Sequence, residues 1–343
     1  MCSSRDTPEI NGVDGAFRVP LYFSRMKLEA YPLCFAPVYK SYVWGGSRMA
    51  AEYGRAGAPE VCAESWEISG HPEGMSRVKN GAYAGDTLDA LAKRLGAQLI
   101  GRPLERFPLI FKLIDAREQL SVQVHPSDET AAKWGGEAKS EMWVVLGAGA
   151  NGRATLHAGL REGADEAAFR AALADGTAPS LLAAHEVREG DALHIPGGLV
   201  HAIGAGCLVY EVQQSSNTTH RLYDWGRGRR VHIDEGLRVV DWNLAAPRII
   251  HPGNGAGWRD VVRCGYFHMR QLAFEGEVRV EMPGGSFQAL FVKRGTARVE
   301  TNGAAVELAP GASALLPACC DSFTLAADGP AEILATTLGD FAC

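Results

Sequence analysis

Leu120-Ser121-Val122-Gln123-Val124-His125-Pro126 alternates apolar and polar residues step by step. A period of two marks a β-strand, whose successive side chains point to opposite faces. Leu120, Val122 and Val124 then form a packing face, and Ser121, Gln123 and His125 form a polar row. Gln123 and His125, two apart on that row, are placed to share one metal ion. Proline cannot donate to a strand ladder, so Pro126 ends the strand.

Similar stretches flank this one. Glu64–Ser69 and Cys207–Gln213 alternate, and in the latter Tyr210 and Val212 share one face while Glu211 and Gln213 share the other. Leu109–Ile114 and Glu141–Gly147 read as buried strands. Leu88, Leu91, Leu95, Leu99 and Ile100 recur at helical spacing and predict a helix over 87–100 that starts near Thr87. Asn80-Gly81 is a hairpin signal. The Ala-rich segment 163–184 carries apolar residues at helical spacing and reads as a helical excursion. Residues 247–257, rich in Pro and Gly, read as a linker. Short strands follow at 277–282, 287–293, 297–300, 314–316 and 332–337, the pattern of a barrel or sandwich. Residues 1–27 read as an N-terminal extension in which only Phe17–Phe23 has packing character.

A faint internal repeat sharpens the architecture. Trp143-Val144-Val145-Leu146-Gly147 echoes Phe291-Val292-Lys293-Arg294-Gly295, and Gly190-x5-Pro196 echoes Gly311-x5-Pro317. The first copy is 27 residues longer between its two marks, the size of the helical excursion. The chain therefore divides into residues 28–246, a metal-binding barrel with a helical insertion, and 247–343, a related barrel. Ser322 stands where the first copy has His201, so the second barrel lacks that ligand.

Composition narrows the function. The net charge of −6 disfavours a nucleic-acid partner. No apolar run reaches membrane-spanning length, and the N-terminus has no secretory core, so no membrane partner is expected. The eight cysteines have no C-x-x-C spacing and read as free thiols of a cytoplasmic protein. The oligomeric state is left open.

Gly190-x5-Pro196-x-Gly198-x2-His201 sets a turn, a strand and a second turn before an inward histidine. It resembles the second signature of the cupin superfamily, which implies a mainly β fold of two jelly-roll barrels. With Phe111-Lys112-Leu113, the Gln123-x-His125 strand, Lys139-Ser140-Glu141-Met142, Glu64-Ser65-Trp66-Glu67-Ile68-Ser69, Trp44-Gly45-Gly46 and Thr219-His220-Arg221-Leu222-Tyr223-Asp224-Trp225, the chain resembles the type I phosphomannose isomerases in their short bacterial form. The resemblance covers most of residues 31–245 and, more loosely, the remainder.

That resemblance implies one zinc ion held by Gln123, His125, Glu141 and His201, a chemically reasonable set of N and O ligands. It implies interconversion of mannose 6-phosphate and fructose 6-phosphate through an enediolate, with a proton carried between C1 and C2. It places Arg221 in the active site and makes Glu211 an acid/base candidate. Alternation puts Lys139 on the face of Glu141 and Ser121 on that of Gln123. Ser121, Lys139 and Arg221 are accordingly substrate-binding candidates, with Lys139 also a proton carrier. His157, His185, His194 and His220 are left unassigned. Two other readings compete: an iron-dependent cupin dioxygenase, whose sites usually use His-x-His, and a non-catalytic sugar-binding bicupin.

Overall fold

A computed structural model of the chain describes residues 29–253 and 255–340. The expected extension, with Phe17–Phe23, lies outside the described residues. The first half is two antiparallel sheets face to face. One has six strands in the order Ala192–Ile195, Glu141–Gly147, Cys207–Gln214, Leu109–Ala116, Glu64–Ser69, Val38–Lys40. The other has five in the order His220–Tyr223, Val122–Val124, His201–Ile203, Ala154–Leu160, Leu182–Val187. Ile114, Trp143, Val145 and Leu193 of the first sheet pack with Leu156, Ala158 and Ile203 of the second in one buried cluster.

The six-stranded sheet is buried on both faces, which explains why its central strands read as apolar runs. Trp143, Val145 and Val209 face the interior of the first barrel. Met142, Val144, Tyr210 and Val212 point the other way and share a core with Phe287, Phe291 and Leu334 of the second barrel. Tyr210 stacks on Phe291 with ring centroids 4.2 Å apart and planes at 19°.

The second barrel is one sheet around its own core of Leu290, Val292, Leu325 and Ile333. The strands expected at 277–282 and 332–337 are ends of longer ones, Phe267–Glu281 and Ser322–Leu338. A register shift between Phe274 and Gly276 bends the pair, so one ladder serves both ends of the barrel. Ala304–Leu308, not foreseen, pairs with Ala297–Thr301 across Asn302-Gly303, both at positive φ as a tight hairpin turn requires. The repeat corresponds to equivalent strand pairs. Glu141–Gly147 pairs with Ala192–Ile195 and Gln288–Arg294 with Ser313–Leu316, with registers one residue apart: Trp143 lies opposite Leu193, and its counterpart Phe291 opposite Ser313. The excess in the first copy holds the helix Glu166–Asp175 and the short turn Ala178–Leu181, narrower than the expected 163–184.

Three other expectations change in detail. The strand at 120–126 shortens to Val122–Val124, although Leu120 N–H still donates to the Ile203 carbonyl at 2.8 Å. The helix starts at its Thr87 cap but breaks at Gly96 into Leu88–Leu95 and Ala97–Ile100. The break turns the carbonyls of Gln98, Leu99 and Ile100 to accept from Cys319, Ala318 and Phe287 of the second barrel at 2.9, 3.0 and 3.2 Å. These are the carbonyls a helix end leaves without internal partners. Gly101 follows at φ +97°, where a Cβ would meet the Gly285 carbonyl at 2.3 Å. Asn80-Gly81 makes a wider turn than a two-residue hairpin: Gly81–Tyr83 is a 3-10 turn, and the Asn80 side chain ties Pro32 and Cys34. Within 247–257, Ile250 exchanges two backbone hydrogen bonds of 2.9 Å with Ala192 of the first barrel. Among the described residues no helix is long and apolar enough to cross a membrane.

The shared core predicts cooperative unfolding. Phe291→Ala should cost about 3–5 kcal/mol and lower the stability of both barrels in one denaturant transition. Two separate transitions, with only the second moved, would contradict the shared core.

Candidate metal centre

The centre forms where the two sheets of the first barrel face each other. In the five-stranded sheet Gln123 lies opposite His201 on one side and Arg221 on the other. Residues directly opposite in a ladder project to the same face. These three side chains therefore make one inward row. In the six-stranded sheet Glu211 lies opposite Lys112 and Trp143, and Gln213 lies opposite Glu141. That makes a second inward row across the gap. His125 follows the end of its strand, and its carbonyl accepts from Gly198 N–H at 2.8 Å.

His125, Glu141 and His201 are buried, and their ligand atoms lie within 4.8 Å of one another. His125 Nε2 and His201 Nε2 are 3.2 Å apart. Glu141 Oε2 is 3.5 Å from the first and Oε1 is 3.3 Å from the second. Each imidazole is turned by its other nitrogen. His125 Nδ1 donates to the Thr218 carbonyl at 2.9 Å, and His201 Nδ1 to the Leu199 carbonyl at 2.8 Å. A carbonyl only accepts, so both protons sit on Nδ1 and both Nε2 lone pairs point to the centre. Gln123 Nε2 is 3.2 Å from His201 Nε2; ligation through its oxygen needs a half-turn of the amide, whose two ends are nearly isosteric.

Electrostatics favour a cation here. Burial, then Lys139, holds His125 well below the usual imidazole value, and burial takes His201 down to about 3. Burial also pushes the Glu141 carboxyl up, against the pull of Lys139. Neither Glu141 oxygen has a hydrogen bond of good geometry, although Lys139 Nζ stands 2.7 Å from Oε2 as an ion pair. The same ammonium donates to His125 Nε2 at 3.0 Å. A lysine cation thus stands beside the converging lone pairs. The orphaned carboxylate oxygens and the mixed N and O donor set fit a divalent metal such as zinc.

A polar cavity of about 270 Å³ lies beside the cluster. Ser121, Gln123, Lys139, Lys112, Glu211 and Arg221 line it, with Tyr42 and Trp44. A larger groove of about 780 Å³ lies against the helix Leu88–Leu95 but contains none of the three clustered groups. Chemistry, not size, selects the smaller one. Every site residue expected from the sequence reaches the centre or this cavity. His157, His185, His194 and His220 are not in the cluster.

The residues overlooked are second partners. Lys112 is buried 3.3 Å from Glu211 and 3.7 Å from Glu64, with its ammonium 4.5 Å from the Trp66 ring centroid. Trp143 Nε1 donates to Glu211 Oε1 at 3.0 Å, and its ring meets His201 edge-on at 5.5 Å. Burial would raise Glu211, but Lys112, Lys139 and Trp143 together bring it below the usual carboxylate value. The available signal was a lone lysine in the apolar run Leu109–Ile114.

The buried neutral imidazole has a measurable consequence. An unfolded His201 takes up a proton near pH 6.5, and the folded one only near 3. Stability from this group is therefore lost as pH falls through that window. Metal-free protein should lose stability relative to His201→Gln between pH 6.5 and 3, measured by denaturant titration. Equal slopes would contradict the assignment.

Comparison with known proteins agrees with this geometry. Residues 33–152 match the family model described as phosphomannose isomerase type I, catalytic domain. The chain is 33% identical over 322 residues to the Bacillus subtilis protein named probable mannose-6-phosphate isomerase GmuF, covering 89% of this chain and 98% of the relative. It is 32% identical over 319 residues to the mannose-6-phosphate isomerase of Streptococcus mutans, covering 90% and 98%. A crystal structure of the mannose 6-phosphate isomerase from Bacillus subtilis superposes with a TM-score of 0.81 at 27% identity, over 89% of this chain and 99% of that one. With its fold and its buried histidine and carboxylate cluster, the chain belongs to the type I phosphomannose isomerase family.

Proposed function

We propose that this enzyme, a mannose-6-phosphate isomerase, interconverts mannose 6-phosphate and fructose 6-phosphate in the cytoplasm with one zinc ion held by Gln123, His125, Glu141 and His201. The observation that carries the metal part is the convergence of two imidazole lone pairs on a buried carboxylate whose Oε1 has no hydrogen bond and whose Oε2 meets only the Lys139 ammonium. A bound zinc ion would polarise the sugar oxygens at C1 and C2 and offset the charge of the enediolate.

The chain's own groups supply the rest. Glu211 Oε2 meets only the Lys112 ammonium, at 3.3 Å, and its depressed pKa keeps the carboxylate ionised and able to accept a proton. It is the acid/base candidate for carrying the proton between C1 and C2. Lys139 lines the cavity and is the second proton-carrying candidate. Arg221 keeps its charge at any working pH and lines the cavity, where its guanidinium would offset negative charge developing on the enediolate. Ser121, Lys139 and Arg221 form the substrate-binding set, with a hydroxyl and two cations available to the phosphate. Aromatic Tyr42 and Trp44, stacked at 5.5 Å, cover an apolar side of the same cavity.

Zinc analysis with a coupled assay for mannose 6-phosphate tests the reading. His201→Ala should lose metal and activity together. Arg221→Ala should keep the metal and lower kcat by roughly 10²-fold, the scale for removing one group that stabilises developing negative charge. Normal turnover by Arg221→Ala would remove it from the mechanism. Zinc-loaded enzyme without turnover would remove the isomerase reading itself.

A further inference from the structure

Arg221 sits on an open edge. Its strand, His220–Tyr223, is outermost in the five-stranded sheet, so one side of its backbone has no neighbouring strand. His232 fills that side. Arg221 N–H donates to His232 Nδ1 at 3.1 Å, and His232 N–H donates to the Arg221 carbonyl at 2.6 Å. The Arg221 guanidinium donates from Nη1 to the Arg230 carbonyl at 2.7 Å. The segment from Asp224 to His232 therefore folds back and holds both the backbone and the head group of Arg221.

The chemistry of the clamp is directional. A backbone N–H only donates, so His232 Nδ1 carries a lone pair and the ring is neutral with its proton on Nε2. A second proton would set N–H against N–H. The His232 side chain makes no capping bond to the helix Ile233–Val239 that follows it, so its bond to Arg221 is not a helix cap. Four groups face the ring. Burial, then Arg221 and Arg230, disfavour its protonation, Glu235 of the helix favours it, and the His220 ring lies 6.2 Å away.

We propose that His232 is a positioning residue for Arg221: as a neutral acceptor on the open strand edge it fixes the backbone from which Arg221 reaches the sugar phosphate, and its protonation releases that hold. The proposal rests on the reading of Arg221 as an active-site group. It assigns His232 no contact with substrate or metal. It makes part of the loss of activity in acid a property of this edge rather than of the metal centre.

The test uses full-length, zinc-loaded protein assayed with mannose 6-phosphate from pH 5 to 8.5, with zinc content measured at each pH. His232→Ala should lower kcat roughly 10- to 100-fold, as expected for misplacing a reacting group, with KM changed far less and zinc retained. His232→Asn places Oδ1 near the position of Nδ1 and cannot titrate. It should recover most of the kcat lost in His232→Ala at pH 8, and it should not show the additional fall of wild type below pH 6.5. Asn as damaged as Ala, or an acid limb shared by Asn and wild type, overturns the proposal. Arg221→Ala separates the two layers. Slow Arg221→Ala beside an unaffected His232→Ala overturns this proposal alone. Normal turnover of Arg221→Ala overturns the role of Arg221 and this proposal with it.

Discussion

Two neutral imidazoles present their lone pairs to each other at 3.2 Å beside a buried carboxylate. Lone pairs at that distance repel, and an ionised carboxylate out of water is costly unless a cation is near; Lys139, 3.0 Å from His125 Nε2 and 2.7 Å from Glu141 Oε2, is the protein's own cation there. The barrel holds this arrangement through backbone carbonyls, Thr218 for His125 and Leu199 for His201. Such second partners fix the tautomer and aim the ligand. Much of the first barrel can be read as the support that keeps these groups from relaxing apart.

The charge balance around them suits an anionic substrate. Lys112, Lys139, Glu141 and Glu211 are all buried. Fully ionised, their two positive and two negative charges cancel. Glu64, also on the cavity wall 3.7 Å from Lys112, adds one negative charge, so a divalent ion would leave one positive charge, and a phosphate group brings close to two negative ones at neutral pH. Arg221 and Arg229 extend the positive wall of the cavity. Metal and substrate would thus complement each other electrostatically.

The sequence exposes its alternating strands well and its doubly buried ones less well. Glu211 and Gln213 separate from Tyr210 and Val212 by alternation alone, and these faces look respectively into the barrel and toward its neighbour. The four proposed ligands were legible from the Gln-x-His strand, the barrel turn and the family resemblance. Lys112 carried no role because Leu109–Ile114 reads as an apolar run, and the glutamates that pair with it come from two other strands. The break at Gly96 was hidden because the helical spacing of the leucines continues across it; what ends the helix is docking on Phe287 and Ala318, nearly two hundred residues or more away. The second barrel's strands ran longer than expected because a register shift between Phe274 and Gly276 lets one long strand bend, and only its far end, 277–282, shows in the sequence pattern. The wrap of His232 over Arg221 has no periodic signal at all, since it joins a loop to a strand edge.

Zinc K-edge X-ray absorption on the metal-loaded, full-length protein tests the central claim most directly. The account predicts four or five nitrogen and oxygen neighbours at about 2.0–2.2 Å, with the outer-shell scattering of two imidazoles that falls to one in His125→Ala. A sulfur neighbour, or a spectrum without imidazole scattering, would contradict the proposed meeting of Gln123, His125, Glu141 and His201 around one ion.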